Sequence, residues 1–230
     1  RNRKPLLLSG ARQTGKTYIV RKFGKEYFED IIEINFERND EFKNIFNGSL
    51  EPKQIIVNLE NYFGRRIFPE KTLLFFDEIQ SCPSAVTSLK YFFEDADEYF
   101  IIGAGSLLGV AISRNFNNKK FSFPVGKIES LRMYPMNFEE FLIAMKEDIL
   151  IEAIKECYKN NEMMPKLLHY KALKLYRDYL VIGGMPEAVK EFINTGSYIA
   201  STKIVNQIYD DYLSDMPKYA SGNEAIKNKN

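Results

Sequence analysis

The chain lacks several residue types and patterns that whole classes of proteins depend on. Among its 230 residues there is no tryptophan, one histidine and two cysteines. A lone His169 largely excludes histidine-based metal sites and Ser–His catalysis, and it lies in a helix-like stretch that suits a structural or solvent-facing role. Cys82 and Cys157 stand far apart, which predicts neither a disulfide framework nor a metal site and fits a reducing cytoplasm. No apolar run is long enough to span a membrane and no signal peptide is visible, so we expect a cytoplasmic protein.

Charge is nearly balanced overall but uneven along the chain. The net charge of +1 gives no polyelectrolyte signal for nucleic acid, and 45% hydrophobic with 27% charged residues is ordinary for a globular protein. Residues 1–25, however, contain eight lysines and arginines and no acid. Such a local positive field suits an anionic ligand such as a nucleotide, although a solvated basic surface would look the same.

The most informative segment is a glycine-containing stretch between an apolar run and a helix-like stretch. Its eight residues match the pattern G-x-x-x-x-G-K-[ST]: Gly10, Ala11, Arg12, Gln13, Thr14, Gly15, Lys16 and Thr17. The glycines let such a loop fold tightly, so that its N–H groups and the positive end of the next helix point at phosphate oxygens. In this pattern Lys16 binds the β- and γ-phosphates and Thr17 holds Mg²⁺ through its hydroxyl. We include the adjoining Tyr18 in the predicted nucleotide-binding segment.

A second candidate site follows four consecutive apolar residues. Asp77 and Glu78 come directly after the run 73–76. A continuous apolar run of this length suits a strand buried on both faces, and open α/β sheets bind ligands at the carboxyl ends of such strands. We predict that Asp77 reaches Mg²⁺ through a water. Because side chains alternate along a strand, Glu78 is expected to point the other way, where it would polarise the water that attacks the γ-phosphate.

The chain divides into two regions by pattern. Strand-like and helix-like segments alternate up to Pro135, which is typical of a parallel α/β sheet. The strand candidates are residues 6–9, 31–36, 72–78, 99–102 and 127–134. After Pro135 the pattern is helical throughout and opens with a capping box of Asn137 and Glu140. We therefore predict a nucleotide-binding α/β domain at 1–135 and an all-helical lid or extension at 136–230.

The chain resembles the prokaryotic AAA+-type ATPases, often labelled only as ATP-binding proteins, that carry a C-terminal domain of unknown function. The resemblance runs from the first strand to about residue 215. It includes the phosphate loop and the acidic strand, which many P-loop ATPases share. The more specific segments are AGSLLG at 104–109, FPVGK at 123–127, LRMYPMNFEEFL at 131–142 and GGMPE at 183–187.

The resemblance implies a P-loop NTPase fold, with a five-stranded parallel sheet in the order 5-1-4-3-2, flanked by helices and followed by an all-helical region. It also implies a polar sensor residue after the fourth strand, for which Ser106 is the candidate; taken alone, Ser106 is equally suited to cap a helix. AAA+ ATPases usually place an arginine on the γ-phosphate, often from a neighbouring subunit. Arg114 and Arg132 are the candidates here. The alternatives are that Arg114 is only a solvated loop residue and that Arg132 belongs to a structural ion pair. We expect the chain to be an excerpt of a longer protein, without the family's C-terminal domain.

Together these patterns predict an ATPase that binds ATP with Mg²⁺ and hydrolyses it. Catalysis would rest on positioning and electrostatics, as phosphoryl transfer requires. A slow regulatory switch, a small-molecule kinase and a motor on DNA or RNA are the alternatives. The acid directly after Asp77 disfavours the kinase, and the lack of D-x-x-G and N-K-x-D disfavours a GTPase. A homo-oligomer and a DNA or protein partner stay open, and no membrane partner is predicted.

Overall fold

The computed structural model describes residues 2–106 and 122–219, with the side chains of 215–219 not included. The chain falls into two compact units, Arg1–Met133 and Tyr134–Asn230. Arg114 and the loop around it lie outside the described residues. None of the helices in the described ranges is long and apolar enough to cross a bilayer.

The first unit is built on a five-stranded, all-parallel sheet. Its strands are β1 Leu6–Gly10, β2 Asp30–Asn35, β3 Thr72–Asp77, β4 Phe100–Gly105 and β5 Glu129–Met133. They lie in the order β2-β3-β4-β1-β5. This is the predicted order 5-1-4-3-2 seen from the opposite edge, with the second strand at an edge as expected.

Helices cover both faces of this sheet. They are α1 Lys16–Tyr27, α2 Glu41–Ile45, α3 Pro52–Phe63 and α4 Pro83–Asp95, with a short 3-10 turn at Ile79–Ser81. Alternation along β3 sends Leu74 and Phe76 to the face packed by α2, α3 and α4, and Leu73 and Phe75 to the face packed by α1. Every residue of β3 is buried, which confirms the prediction of a strand covered on both sides.

The fourth strand is longer than its apolar residues indicate. Residues 99–102 were expected to form it, whereas β4 continues through the glycines to Gly105. A Cβ on Gly103 would lie 3.0 Å from the Ile79 side chain and 3.1 Å from that of Leu7, so glycine lets these side chains approach the strand. Ser106 therefore follows the end of β4 directly.

The second unit consists of helices in its described part, as the pattern after Pro135 predicts. They are α5 Phe138–Ala144, α6 Asp148–Asn160, α7 Lys166–Ile182, α8 Pro186–Thr195 and α9 Tyr198–Tyr219. The capping box is confirmed, because the Asn137 side chain accepts from the Glu140 N–H and the Glu140 carboxylate accepts from the Asn137 N–H. Phe141 and Leu142 of α5 then pack into two apolar clusters on either side of the helix.

The backbone of the turn between α7 and α8 packs directly against the backbone of the segment that precedes α5. The Met136 N–H donates to the Gly184 carbonyl at 2.7 Å, and the Tyr179 hydroxyl donates to the Met136 carbonyl at 3.1 Å. A Cβ on Gly184 would lie 2.0 Å from the Met136 carbonyl oxygen. Glycine is therefore required at position 184 by close approach of two backbone segments.

We predict that Gly184→Ala destabilises the second unit by about 2 kcal/mol or more, because backbone must move to admit the methyl group. Gly48→Ala is the matched control, since a Cβ at Gly48 meets nothing within 4 Å, and it should change stability by less than about 0.5 kcal/mol. Denaturant unfolding of both variants checks this. Equal stability of the two would contradict the packing described for Gly184.

Candidate phosphate-binding site

The loop between β1 and α1 has the tight geometry of a phosphate cradle. Gln13 and Gly15 adopt left-handed backbone angles, with φ of 62° and 92°. A Cβ on Gly10 would lie 2.3 Å from the Met133 carbonyl oxygen, so the loop leaves the strand where only glycine fits. The Thr14 hydroxyl donates to the Ala11 carbonyl at 2.9 Å, which ties the loop to itself.

This loop borders an open cavity of about 330 Å³. Its lining residues come from the loop, the start of α1 and the segments after β2 and β3: Arg12, Gln13, Gly15, Lys16, Thr17, Tyr18, Glu37 and Glu78. The N-terminal end of α1 opens onto it, and such an end attracts anions. Tyr18 is 71% exposed and contributes the aromatic part of the wall.

Lys16 is a buried cation in the wall of this cavity. Its side chain turns back onto the loop, where Nζ donates to the carbonyls of Gly10 at 3.1 Å and Ala11 at 2.5 Å. Removal of the ammonium from water lowers the pKa of Lys16, and the nearby carboxylates of Glu78 and Asp77 oppose that shift. The loop thus holds an incompletely compensated positive charge beside the cavity.

The end of β3 lies against the start of α1. The Thr17 hydroxyl lies 3.1 and 3.2 Å from the two carboxylate oxygens of Asp77, and the Asn35 amide donates to Asp77 at 3.0 Å. Burial, together with the neighbouring Glu78, raises the pKa of Asp77, and the hydrogen bonds from Thr17 and Asn35 act in the opposite direction. A hydroxyl and a carboxylate at this spacing are oxygen donors of the kind that Mg²⁺ takes from P-loop proteins.

Glu78 faces the cavity for a reason other than strand alternation. β3 ends at Asp77, and Glu78 adopts φ 50° and ψ 42°, a left-handed conformation rare for a non-glycine residue. The alternation used to predict its direction therefore does not extend to it. The turn brings the Glu78 carboxylate to the cavity wall, where it accepts a hydrogen bond of 2.6 Å from the Gln80 amide.

Arg12 connects the loop to two other segments. Its Nε donates to the hydroxyl of Ser106 at 3.3 Å, and its Nη2 lies 3.6 Å from the Glu37 carboxylate. Ser106 is buried directly after β4, at the position where the resemblance places a sensor residue. The alternative role of Ser106 as a helix cap concerns residues 107–121, which lie outside the described residues.

Of the two other candidate arginines, Arg132 is not among the described residues that line the cavity. Arg132 lies on the edge strand β5 and lines a separate apolar groove between α1 and β5. Arg114 lies outside the described residues. Their predicted role on the γ-phosphate stays a prediction.

Three residues of the site were not assigned to it by sequence reasoning. Asn35 is the register partner of Asp77 at the ends of β2 and β3, so its place follows once those two strands are known to be adjacent and parallel. Glu37 belongs to the loop after β2 and carries no sequence signal for its contact with Arg12. Gln80 belongs to the turn after the two acids, and its amide contacts Glu78 itself.

Comparison with known proteins agrees with this geometry. A family model described as an AAA domain matches residues 2–142, more than half of the chain. The chain belongs to the AAA domain family. A search of curated proteins gives no match for this AAA-domain chain.

A solved structure, the Walker-type ATPase PABY2304 of Pyrococcus abyssi, resembles the AAA-domain chain in fold. The TM-score is 0.52 at 16% sequence identity, and the alignment covers 94% of this chain and 72% of the other. At that identity the likeness supports the P-loop ATPase fold. The family match and this fold together support nucleotide binding of the ATPase type.

We predict opposite effects of Lys16→Met on stability and on ligand binding. Removing a buried charge should leave the nucleotide-free AAA-domain chain equally stable or more stable, by up to about 1 kcal/mol. The wild type should gain about 2.7 kcal/mol at a Mg-ATP concentration one hundred times its Kd, and the variant should gain none. Thermal unfolding with and without Mg-ATP measures both, with the exposed Lys22→Met as control. A large loss of stability without nucleotide would show that Lys16 serves the fold rather than a ligand.

Proposed function

We propose that this chain binds ATP with Mg²⁺ and hydrolyses it. The observation that carries the proposal is the convergence of Lys16, Thr17, Asp77 and Glu78 around the phosphate loop at the carboxyl edge of the sheet. Lys16 supplies a cation for the phosphates, and Glu78 supplies a carboxylate for the attacking water. Thr17 and Asp77 supply two oxygens for a metal, so that the main requirements of phosphoryl transfer are met. The membership of the AAA domain family supports the same reading.

The phosphate loop would hold the triphosphate through its backbone N–H groups and Lys16. The Lys16 ammonium donates hydrogen bonds to the carbonyls of Gly10 and Ala11. Phosphate oxygens are stronger acceptors for an ammonium than neutral carbonyls are. When a nucleotide binds, the Lys16 ammonium would therefore exchange its hydrogen bonds to carbonyls for stronger ones to phosphate oxygens.

Thr17 and Asp77 would hold the metal, the first directly and the second through a water. Mg²⁺ supplies charge neutralisation of the β- and γ-phosphates when bound. The Thr17 hydroxyl now donates to Asp77, and a metal would take that hydroxyl oxygen as a ligand while Asp77 stays within reach of the metal's waters. Asn35 keeps the Asp77 carboxylate oriented throughout.

Glu78 would orient the attacking water and accept its proton, and Ser106 would sense the γ-phosphate. Glu78 lines the cavity on the side of β3, while Ser106 contacts Arg12 across the loop. An arginine from a neighbouring copy would complete the site. Arg132 fits that role because it is exposed on an edge strand, outside its own cavity.

The two units would divide the work between them. We assign nucleotide binding to a domain at 1–135, and to residues 136–230 the role of a helical extension that responds to the nucleotide. A homo-oligomer follows from the use of an arginine in trans. The proposed setting is the cytoplasm, where Mg-ATP is abundant.

We predict that Glu78→Gln binds Mg-ATP with wild-type affinity and hydrolyses it at least about 100-fold more slowly, because loss of a general base costs 10²–10⁴ in rate. Asp77→Asn should instead raise the Mg²⁺ concentration needed for half-maximal rate. Phosphate release under single-turnover conditions and titration with a fluorescent ATP analogue measure the two effects.

The exposed Glu98→Gln serves as the control for loss of a carboxylate and should match the wild type. Tight binding by the wild type with no phosphate release would favour the slow regulatory switch over the ATPase. No binding by the wild type would contradict the proposal altogether. Transfer of the phosphate to a metabolite instead of water would point to a kinase.

A further inference from the structure

Gln80 lies directly beside the proposed catalytic carboxylate. It belongs to the 3-10 turn after β3, two residues beyond Glu78, and is 8% exposed. Its Nε2 donates to Glu78 Oε2 at 2.6 Å, and the same nitrogen lies 3.5 Å from Glu37 Oε1. The two hydrogens of one amide are thus directed to two carboxylates that both line the phosphate cavity.

The orientation of this amide is determined by Glu78. If oxygen and nitrogen were exchanged, the amide oxygen would stand 2.6 Å from a carboxylate oxygen, which is repulsive. In the orientation described, the Gln80 Oε1 atom is buried and has no hydrogen-bond partner among the residues that the structure describes. An unpartnered buried carbonyl normally destabilises a fold. Its presence indicates that the amide is held by its N–H contacts, and the charged acceptor makes the shorter of them strong.

Glu37 anchors the far side of the same amide. Its carboxylate lies 3.3 Å from the Ser81 hydroxyl and 3.6 Å from the Arg12 guanidinium as well as 3.5 Å from Gln80. Glu37 is thereby fixed by the phosphate loop and by the 3-10 turn. The contacts form a continuous chain from Arg12 through Glu37 and Gln80 to Glu78.

We propose that Gln80 is a positioning residue that fixes the Glu78 carboxylate for its reaction with water. This inference rests on the proposed ATPase function. Glu78 sits at a left-handed turn with a flexible side chain, and its hydrogen bond from Gln80 restricts where the carboxylate points. Gln80 does not line the cavity, so it acts through Glu78 and not on the nucleotide.

The proposal predicts that substitution of Gln80 slows ATP hydrolysis without weakening ATP binding. A misplacement of about 1 Å at a reacting group costs on the order of 100-fold in rate. Gln80→Met keeps the length of the side chain and removes both N–H donors together with the unpartnered carbonyl. We expect it to lower the single-turnover rate about 10- to 100-fold, to leave the Kd for a fluorescent ATP analogue within twofold, and to leave the melting temperature unchanged or raised.

Two further variants complete the experiment. Gln80→Glu keeps the shape but replaces the donor by a carboxylate oxygen beside Glu78, so its loss of rate should equal or exceed that of Gln80→Met. Gln54→Met is the control, because Gln54 is exposed on α3 and its side-chain amide donates to Asn58 of the same helix. It should match the wild type in rate, Kd and melting temperature. If Gln80→Met fails to fold, Gln80→Glu carries the test.

The outcomes distinguish a failure of the positioning role from a failure of the proposed ATPase function. If the wild type hydrolyses ATP and the Gln80 variants do so within twofold of it, the positioning role is overturned while the ATPase stands. If the Gln80 variants lose affinity and rate in parallel, Gln80 maintains the site as a whole and the positioning role is again overturned. If the wild type binds Mg-ATP without hydrolysing it, the ATPase proposal fails and the positioning role fails with it.

Discussion

The contact between Thr17 and Asp77 is the one on which the rest of the candidate site depends. It joins the start of α1 to the end of β3, two segments separated by sixty residues of chain. The contact exists because β1 and β3 flank the same strand, β4, and all three run in parallel. The carboxyl ends of these strands therefore lie at one edge of the sheet, and the loop after β1 meets the acids after β3 there.

Hydrogen bonds at the same site keep its two buried charges from being isolated. Lys16 and Asp77 are both largely removed from water. Burial lowers the pKa of Lys16 and raises the pKa of Asp77, so it favours the neutral form of each group. The compensation is local: loop carbonyls accept from Lys16, and a hydroxyl and an amide donate to Asp77. Buried ionisable groups with shifted pKa values are common at functional sites.

The sequence predicts the elements of this site better than their mutual contacts. The phosphate loop, the buried third strand and the capping box at Asn137 each depend on local pattern, and local pattern is sufficient to place them. The sheet order came from the resemblance to a family, because periodicity alone does not say which strands are neighbours. The place of Asn35 beside Asp77 follows from that order together with the register in which β2 and β3 pair.

Other features depend on backbone geometry that no local pattern encodes. Glu78 leaves the strand through a left-handed turn, so the alternation rule gives its direction for the wrong reason. β4 continues through Gly103, where glycine lets the side chains of Leu7 and Ile79 approach the strand, and nothing along the sequence predicts that tertiary contact. Glu37 and Arg12 meet through two loops, and Arg132 lies on an edge strand facing a groove. For Gly103, and for the pair of Arg12 and Glu37, the deciding contact comes from a distant part of the chain.

The balance of charge around the cavity explains why a metal belongs to the proposed reaction. Two cations, Arg12 and Lys16, face three carboxylates, those of Glu37, Asp77 and Glu78. A triphosphate without a metal would bring further negative charge to a site that already has an excess of it, and in a partly buried cavity such repulsion is weakly screened. A divalent cation at Thr17 and Asp77 offsets both the acids and the phosphates. In the proposed reaction, the acids that take part in hydrolysis would thus also make the site depend on Mg²⁺.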